Sequence, residues 1–199
     1  MKPIKSAILY KDAKAHTLDV LLHGSSGGMD YSLIKKVFDE CVKKGHSVVN
    51  FNFPFFERGE EQSSGVELKE EIETLQLILD QSKFDEYKHI RLIGKSLGAI
   101  IASFYLKSLS KEAQSKYSVV VFGYVTGSID LKSFEGKIKI IQGEKDKFGN
   151  IKVVKNDLKD AVSKNINYFE IKNADHSYRN ELKEPIFEDE AIEIFSKIK

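Results

Sequence analysis

Short apolar runs alternate with amphipathic stretches along the whole chain. Seven runs read as strands: residues 4–10, 18–22, 47–53, 90–93, 118–125, 137–141 and 166–171. The middle runs are continuously apolar rather than alternating, the pattern of parallel strands covered on both faces. Between them, apolar residues recur at three- and four-residue spacing. Leu33, Val37, Phe38, Cys41 and Val42 share one face of a helix expected from an Asp30 cap to about Lys44, with Gly45 as its stop. Leu68, Ile72, Leu75 and Leu79 form a stripe within a helix expected over 66–81. Residues 97–109 are apolar nearly all round and predict a buried helix. Helices over 151–163 and 185–198 complete the set, with Pro185 suited to a first turn. Strand and helix in alternation predict an α/β fold with a mostly parallel sheet, one domain over 1–199. Ligands of such sheets bind beyond the carboxyl ends of the strands, so the residues that follow each strand are where chemistry is expected.

After the run at 90–93 stands Gly94-Lys95-Ser96-Leu97-Gly98, then the buried helix. In a G-x-S-x-G turn between strand and helix, a nucleophilic serine projects from strained backbone, and side chains at the flanking glycines would collide. The helix start beyond it offers unpaired N–H groups to a developing oxyanion. The bland alternative is a glycine-rich turn whose serine merely caps the helix. A serine nucleophile needs a base, and the base an orienting acid. Of five histidines, His176 alone follows a late strand, in Asn173-Ala174-Asp175-His176. His16, His46 and His89 fall in turns or at strand starts, and His23 reads as a brace of its loop. Asp146 follows the run at 137–141, so Ser96, Asp146 and His176 stand in the order Ser, Asp, His. Asp130, one strand earlier, is the alternative acid; Glu144 reads as a turn residue, and Asp175 adjoins His176 too closely to reach its ring. The glycine-rich loop His23-Gly24-Ser25-Ser26-Gly27-Gly28 follows an early strand and suits the other half of an oxyanion hole, the N–H of Ser25 paired with that of Leu97. It lacks the spacing and the lysine of a phosphate-binding loop. Gly24 is placed against the substrate, and Phe53, Phe55 and Phe56, which follow a strand end, are expected to line an acyl or aromatic pocket.

Charge and composition narrow the class. The 199 residues carry 31 Lys plus Arg against 30 Asp plus Glu, which gives no pull toward nucleic acid or an anionic membrane. One cysteine excludes an intrachain disulfide and a multi-cysteine zinc site, and Cys41 reads as core. Apolar runs are too short to span a bilayer, and the start Met1-Lys2-Pro3-Ile4 does not read as a signal peptide. A cytoplasmic protein is expected, monomeric or homodimeric, acting on a small-molecule substrate with no cofactor and no metal. Only Arg58, Arg91 and Arg179 are arginines, and each matters because arginine clamps carboxylates as lysine does not.

The segments LLHGSSGGMD, NFNFPFFERG, LIGKSLGA, QGEKDKFGN and ADHSY resemble those of α/β-hydrolases over nearly the whole chain. They are most similar to the small lidless predicted hydrolases of the Tex type (KANL/Tex-like), near the dienelactone-hydrolase branch. The resemblance implies a three-layer α/β-hydrolase fold: a sheet of about seven strands with an antiparallel N-terminal edge, helices on both faces and no lid domain. It implies Ser96 as nucleophile, Asp146 as acid and His176 as base. The elbow continues here with Ala99 and Ile100 where the family has Gly and Arg, and Asn50 stands where it has Arg. By analogy with dienelactone-type enzymes, Arg58 is placed to receive a substrate carboxylate. The activity expected is a serine esterase on short, soluble acyl substrates. The alternatives are a catalytically weak or inactive hydrolase fold serving as a binding or scaffold module, and acyl transfer to an acceptor other than water.

Overall fold

Seven strands hydrogen-bond in the order β1-β3-β2-β4-β5-β6-β7 in a computed structural model that describes residues 7–198. They are β1 (Ala7–Tyr10), β2 (Thr17–Leu22), β3 (Ser47–Phe51), β4 (His89–Lys95), β5 (Tyr117–Phe122), β6 (Lys137–Gly143) and β7 (Ile166–Ile171). Only the β1 edge runs antiparallel; every other pair is parallel. β3 and β5 are buried at every position, which is why their sequences show no alternation. The predicted residues 4–6 of the first strand, and the reading of residues 1–4 as no signal peptide, lie outside the described residues.

The helices cover both faces. α1 (Ser32–Lys43) and α7 (Glu188–Lys197) bury Leu33, Ile34, Val37, Cys41, Ala191 and Phe195 against Leu21, Val48, Ile93 and Val120 of the sheet. α3 (Lys69–Gln81), α4 (Leu97–Ser108) and α6 (Ile151–Asp157) bury Leu75, Leu79, Ala99, Ile101 and Val154 on the other face against Leu18, Val20, Leu92 and Val119. Two single-turn helices, α2 (Pro54–Glu57) and α5 (Lys111–Gln114), fill connections. The segment between β5 and β6 contains turns and no lid.

Element ends differ from the sequence pattern for local reasons. β3 stops at Phe51 because Phe53 and Pro54 turn the chain into α2, and β5 stops at Phe122. Tyr31, not Asp30, precedes the first turn of α1, after a turn in which the Tyr31 N–H donates to Gly28 O. Leu68 takes a left-handed conformation (φ 50°), so α3 begins at Lys69 rather than 66. α6 ends at Asp157, and α7 begins at Glu188 because a turn tied between Asn180 and Glu184 occupies the preceding segment. Pro185 therefore lies ahead of the helix.

Candidate active site

β4 delivers Ser96 from a turn that only this sequence spacing permits. Ser96 has φ 51° and ψ −112°, and α4 starts at the next residue. A Cβ at Gly98 would lie 2.0 Å from Leu22 O, and one at Gly94 2.5 Å from Ala99 N. The strand and helix can thus close on the elbow only because both flanks are glycine.

The carboxyl ends of β6 and β7 bring two more groups to the same rim. Ser96 Oγ lies 2.8 Å from His176 Nε2, and His176 Nδ1 lies 2.7 Å from Asp146 Oδ2. Gln142 Nε2 donates to Asp146 Oδ2 at 2.9 Å, and the Phe148 N–H to Oδ1 at 2.8 Å. Three donors therefore converge on a fully buried carboxylate. The donated Nδ1–H fixes the tautomer that leaves Nε2 open to accept from the serine hydroxyl. Burial pushes the His176 pKa below its ordinary 6.5; the hydrogen bond to Asp146 opposes this, and the nearby Lys95 charge adds to the lowering. The ring is therefore neutral at neutral pH. Phe148 packs edge-on against it, centroids 4.7 Å apart.

The loop after β2 reaches the same place. His23 is buried; its Nε2 accepts from the Phe53 N–H (2.9 Å) and its Nδ1–H donates to Gly24 O (2.6 Å). Because Nε2 faces a donor, the ring is held neutral, and burial lowers its pKa to about 4. It is a brace, and it sets Gly24 and Ser25 beside Ser96. Neither the Ser25 nor the Leu97 N–H donates to a backbone carbonyl among the described residues. A small open cleft of about 100 Å³ runs along Gly24, Ser25, Ser96 and His176.

The other expected substrate contacts lie elsewhere. Phe53 and Phe55 are fully buried and pack on the His23 ring, centroids 4.9 and 5.8 Å away. They belong to the core beneath the loop, not to a pocket wall, because α2 turns both rings inward. Phe56 is half-buried, edge-on to His23 at 5.2 Å, and does not line the cleft. Arg58 is held on the surface by Glu60 and Glu70, at 2.7 and 2.8 Å, so its guanidinium is occupied. Of the alternative acids, Asp130 pairs with Lys107, and Asp175 accepts from the N–H groups of Ser177 and Arg179. Glu144 accepts from the Asn173 N–H.

Three further residues stand around the site. Gln142, which holds Asp146, sits inside a strand end. Lys95 is buried, its Nζ donates to His176 O at 2.8 Å, and burial lowers its pKa to about 8. Arg179 lines the cleft. At the opposite end of the strands, Asp19 binds Arg91 through both carboxylate oxygens (2.8 and 2.7 Å) and meets His46 at 2.9 Å. His89 lies 2.8 Å from Ser118 there, and among the described residues no carboxylate is paired with its ring. Among the described residues no three His, Cys, Asp or Glu side chains are grouped to hold a metal ion, and no helix is long and apolar enough to cross a membrane.

The sheet order, the elbow and the strand-end loops are those of an α/β-hydrolase. The model of the alpha/beta hydrolase domain matches residues 15–197, and the chain belongs to that family. No curated protein sequence matches it. Among solved structures it is similar to an alpha-beta serine hydrolase homologue from Coxiella burnetii, at 16% identity over 96% of this chain and 89% of that one, TM-score 0.70. Est1E from Butyrivibrio proteoclasticus with ferulic acid bound is similar at 14% identity over 96% and 93%, TM-score 0.68. The Pyrococcus furiosus esterase Pf2001 is similar at 17% identity over 94% and 82%, TM-score 0.64. These likenesses establish the shared fold.

Proposed function

We propose that the protein is a serine hydrolase of short-chain, soluble esters or related acyl compounds. The observation that carries this is the unbroken relay from Ser96 Oγ through the His176 imidazole to Asp146, at 2.8 and 2.7 Å. Ser96 Oγ attacks the acyl carbonyl while His176 Nε2 takes its proton. Asp146 keeps the imidazole in the required tautomer and stabilises the imidazolium that forms. The N–H groups of Ser25 and Leu97 receive the oxyanion. His176 then gives its proton to the departing alcohol, leaving an acyl-Ser96 ester. Water, deprotonated by His176, attacks that ester, and the carboxylic acid leaves as Oγ is reprotonated. Family membership and the strained elbow at Ser96 support the same reading.

The short-chain preference follows from a small cleft with no lid and no apolar wall, since Phe53 and Phe55 are in the core. A series of p-nitrophenyl esters tests it: kcat/KM is expected to be highest for short acyl groups and to fall with length. An optimum at long chains contradicts it. Turnover lost in Ser96→Ala assigns the activity to this site.

A further inference from the structure

We propose that Arg179 makes the cleft in front of Ser96 a binding site for a carboxylate, so that the preferred substrates are anionic esters. This substrate class rests on the serine-hydrolase reading above.

Two of the three arginines are occupied. Arg58 holds two surface glutamates, and Arg91 is locked on Asp19. The Arg179 side chain forms no ion pair among the described residues, yet it lines the cleft that contains Ser96 and His176. Its backbone is pinned: the N–H donates to Asp175 Oδ1 at 2.9 Å, and the carbonyl accepts from the Asp175 N–H at 3.0 Å. The backbone that carries the side chain is therefore fixed three positions beyond the base. Its guanidinium lies beside the Tyr31 phenol, another cleft residue; burial raises the phenol pKa, and Arg179 opposes that rise.

The neighbouring carboxylates are held by other groups. Asp175 turns its carboxylate to the Ser177 and Arg179 N–H groups and to Lys183 Nζ at 3.1 Å. Glu188, which faces Tyr31, is held by Ser32 Oγ and Lys36 Nζ. No aspartate or glutamate lines the cleft; its walls carry two cations and the hydroxyls of Ser25, Ser26, Tyr31 and Ser177. An apolar acyl chain would cover these polar groups without satisfying them. A carboxylate satisfies them, and the planar guanidinium fork matches it in two hydrogen bonds. Lys95, the other cation, is committed to the His176 carbonyl, so the guanidinium is the group left to bind.

The test compares mono-p-nitrophenyl glutarate with p-nitrophenyl valerate, which differ by the terminal carboxylate. Wild type is expected to favour the glutarate in kcat/KM, through KM, and the preference shrinks with added salt. Arg179→Met is expected to lower the glutarate-to-valerate ratio by about tenfold or more, the size of losing a charge-assisted pair. Arg179→Lys restores part of it. Structural damage lowers both substrates alike, so an unchanged ratio overturns the proposal. Calorimetry with glutarate on Ser96→Ala separates this from the hydrolase reading. Binding that is lost in the Ser96→Ala, Arg179→Met double variant supports the carboxylate site even in a protein that turns over neither ester. Absence of binding, or binding indifferent to residue 179, overturns it.

Discussion

His176 and His23 show how neighbours decide what a histidine does. Both are neutral, one poised and one idle. In the proposed mechanism His176 must be unprotonated to accept the Ser96 proton, and its pKa lies below the ordinary 6.5 because burial and the Lys95 charge disfavour the imidazolium. The acid limb of kcat/KM against pH is therefore expected below 6.5. Lys95→Met removes one cause of the lowering and is expected to move that limb to higher pH; a limb that stays or moves down contradicts this role of Lys95. His23 bears on stability instead. Its pKa is about 4 in the folded chain against 6.5 unfolded, so between those values the unfolded chain binds more protons. Stability is unaffected above pH 6.5 and falls as pH drops toward 4, by roughly 3 kcal/mol in total. Urea unfolding from pH 7 to 4 measures it, and in His23→Gln this part of the acid loss is expected to vanish. The brace role of His23 was legible because a histidine heading a glycine-rich loop has backbone to hold. The place of Arg179 in the cleft was not: it had only rarity and closeness to His176 to mark it. Arg58 is instead taken up by Glu60, two residues on, and by Glu70, which reaches it only because α3 packs against α2.

The decisive element is the β4–α4 unit. Its sequence spacing dictates its shape, since Gly94 and Gly98 leave room that no Cβ could share. Gly98→Ala would place a methyl against Leu22 O and force β2 and α4 apart. It is expected to cost about 3 kcal/mol, a severe overpacking, read as a lower urea midpoint. A variant as stable as wild type would mean the elbow is not closed this way. This unit was readable because the motif, the preceding strand and the following helix all constrain the same turn. The connection after β3 was not. Aromatic residues beyond a strand end can wall a pocket or fill a core, and the choice for Phe53 and Phe55 was made by Pro54, which starts α2 and turns both rings under His23. Boundaries such as the start of α3 were lost for a similar reason: the left-handed Leu68 leaves no mark in an apolar stripe.

For the whole molecule, the parallel sheet is what gathers distant residues. β4, β6 and β7 all point their carboxyl ends to one rim, so loops far apart in sequence meet there. Ser96, Asp146 and His176 each follow a strand of that set, and the side chains meet at 2.8 and 2.7 Å. The network at the other rim was not legible in the sequence. Asp19 lies in β2 and Arg91 in β4, and their pairing depends on the β2–β4 register, which places them opposite each other. Sequence gives the members of a sheet more readily than its register.

The central claim is that Ser96 is a nucleophile activated by His176 and Asp146. Its most direct test is mass spectrometry of the intact protein and its peptides after treatment with a fluorophosphonate probe. One adduct on Ser96 is expected, absent in Ser96→Ala and strongly slowed in His176→Ala. A wild-type protein that takes up no probe, or takes it up on another residue at the same rate in all three proteins, would contradict the account.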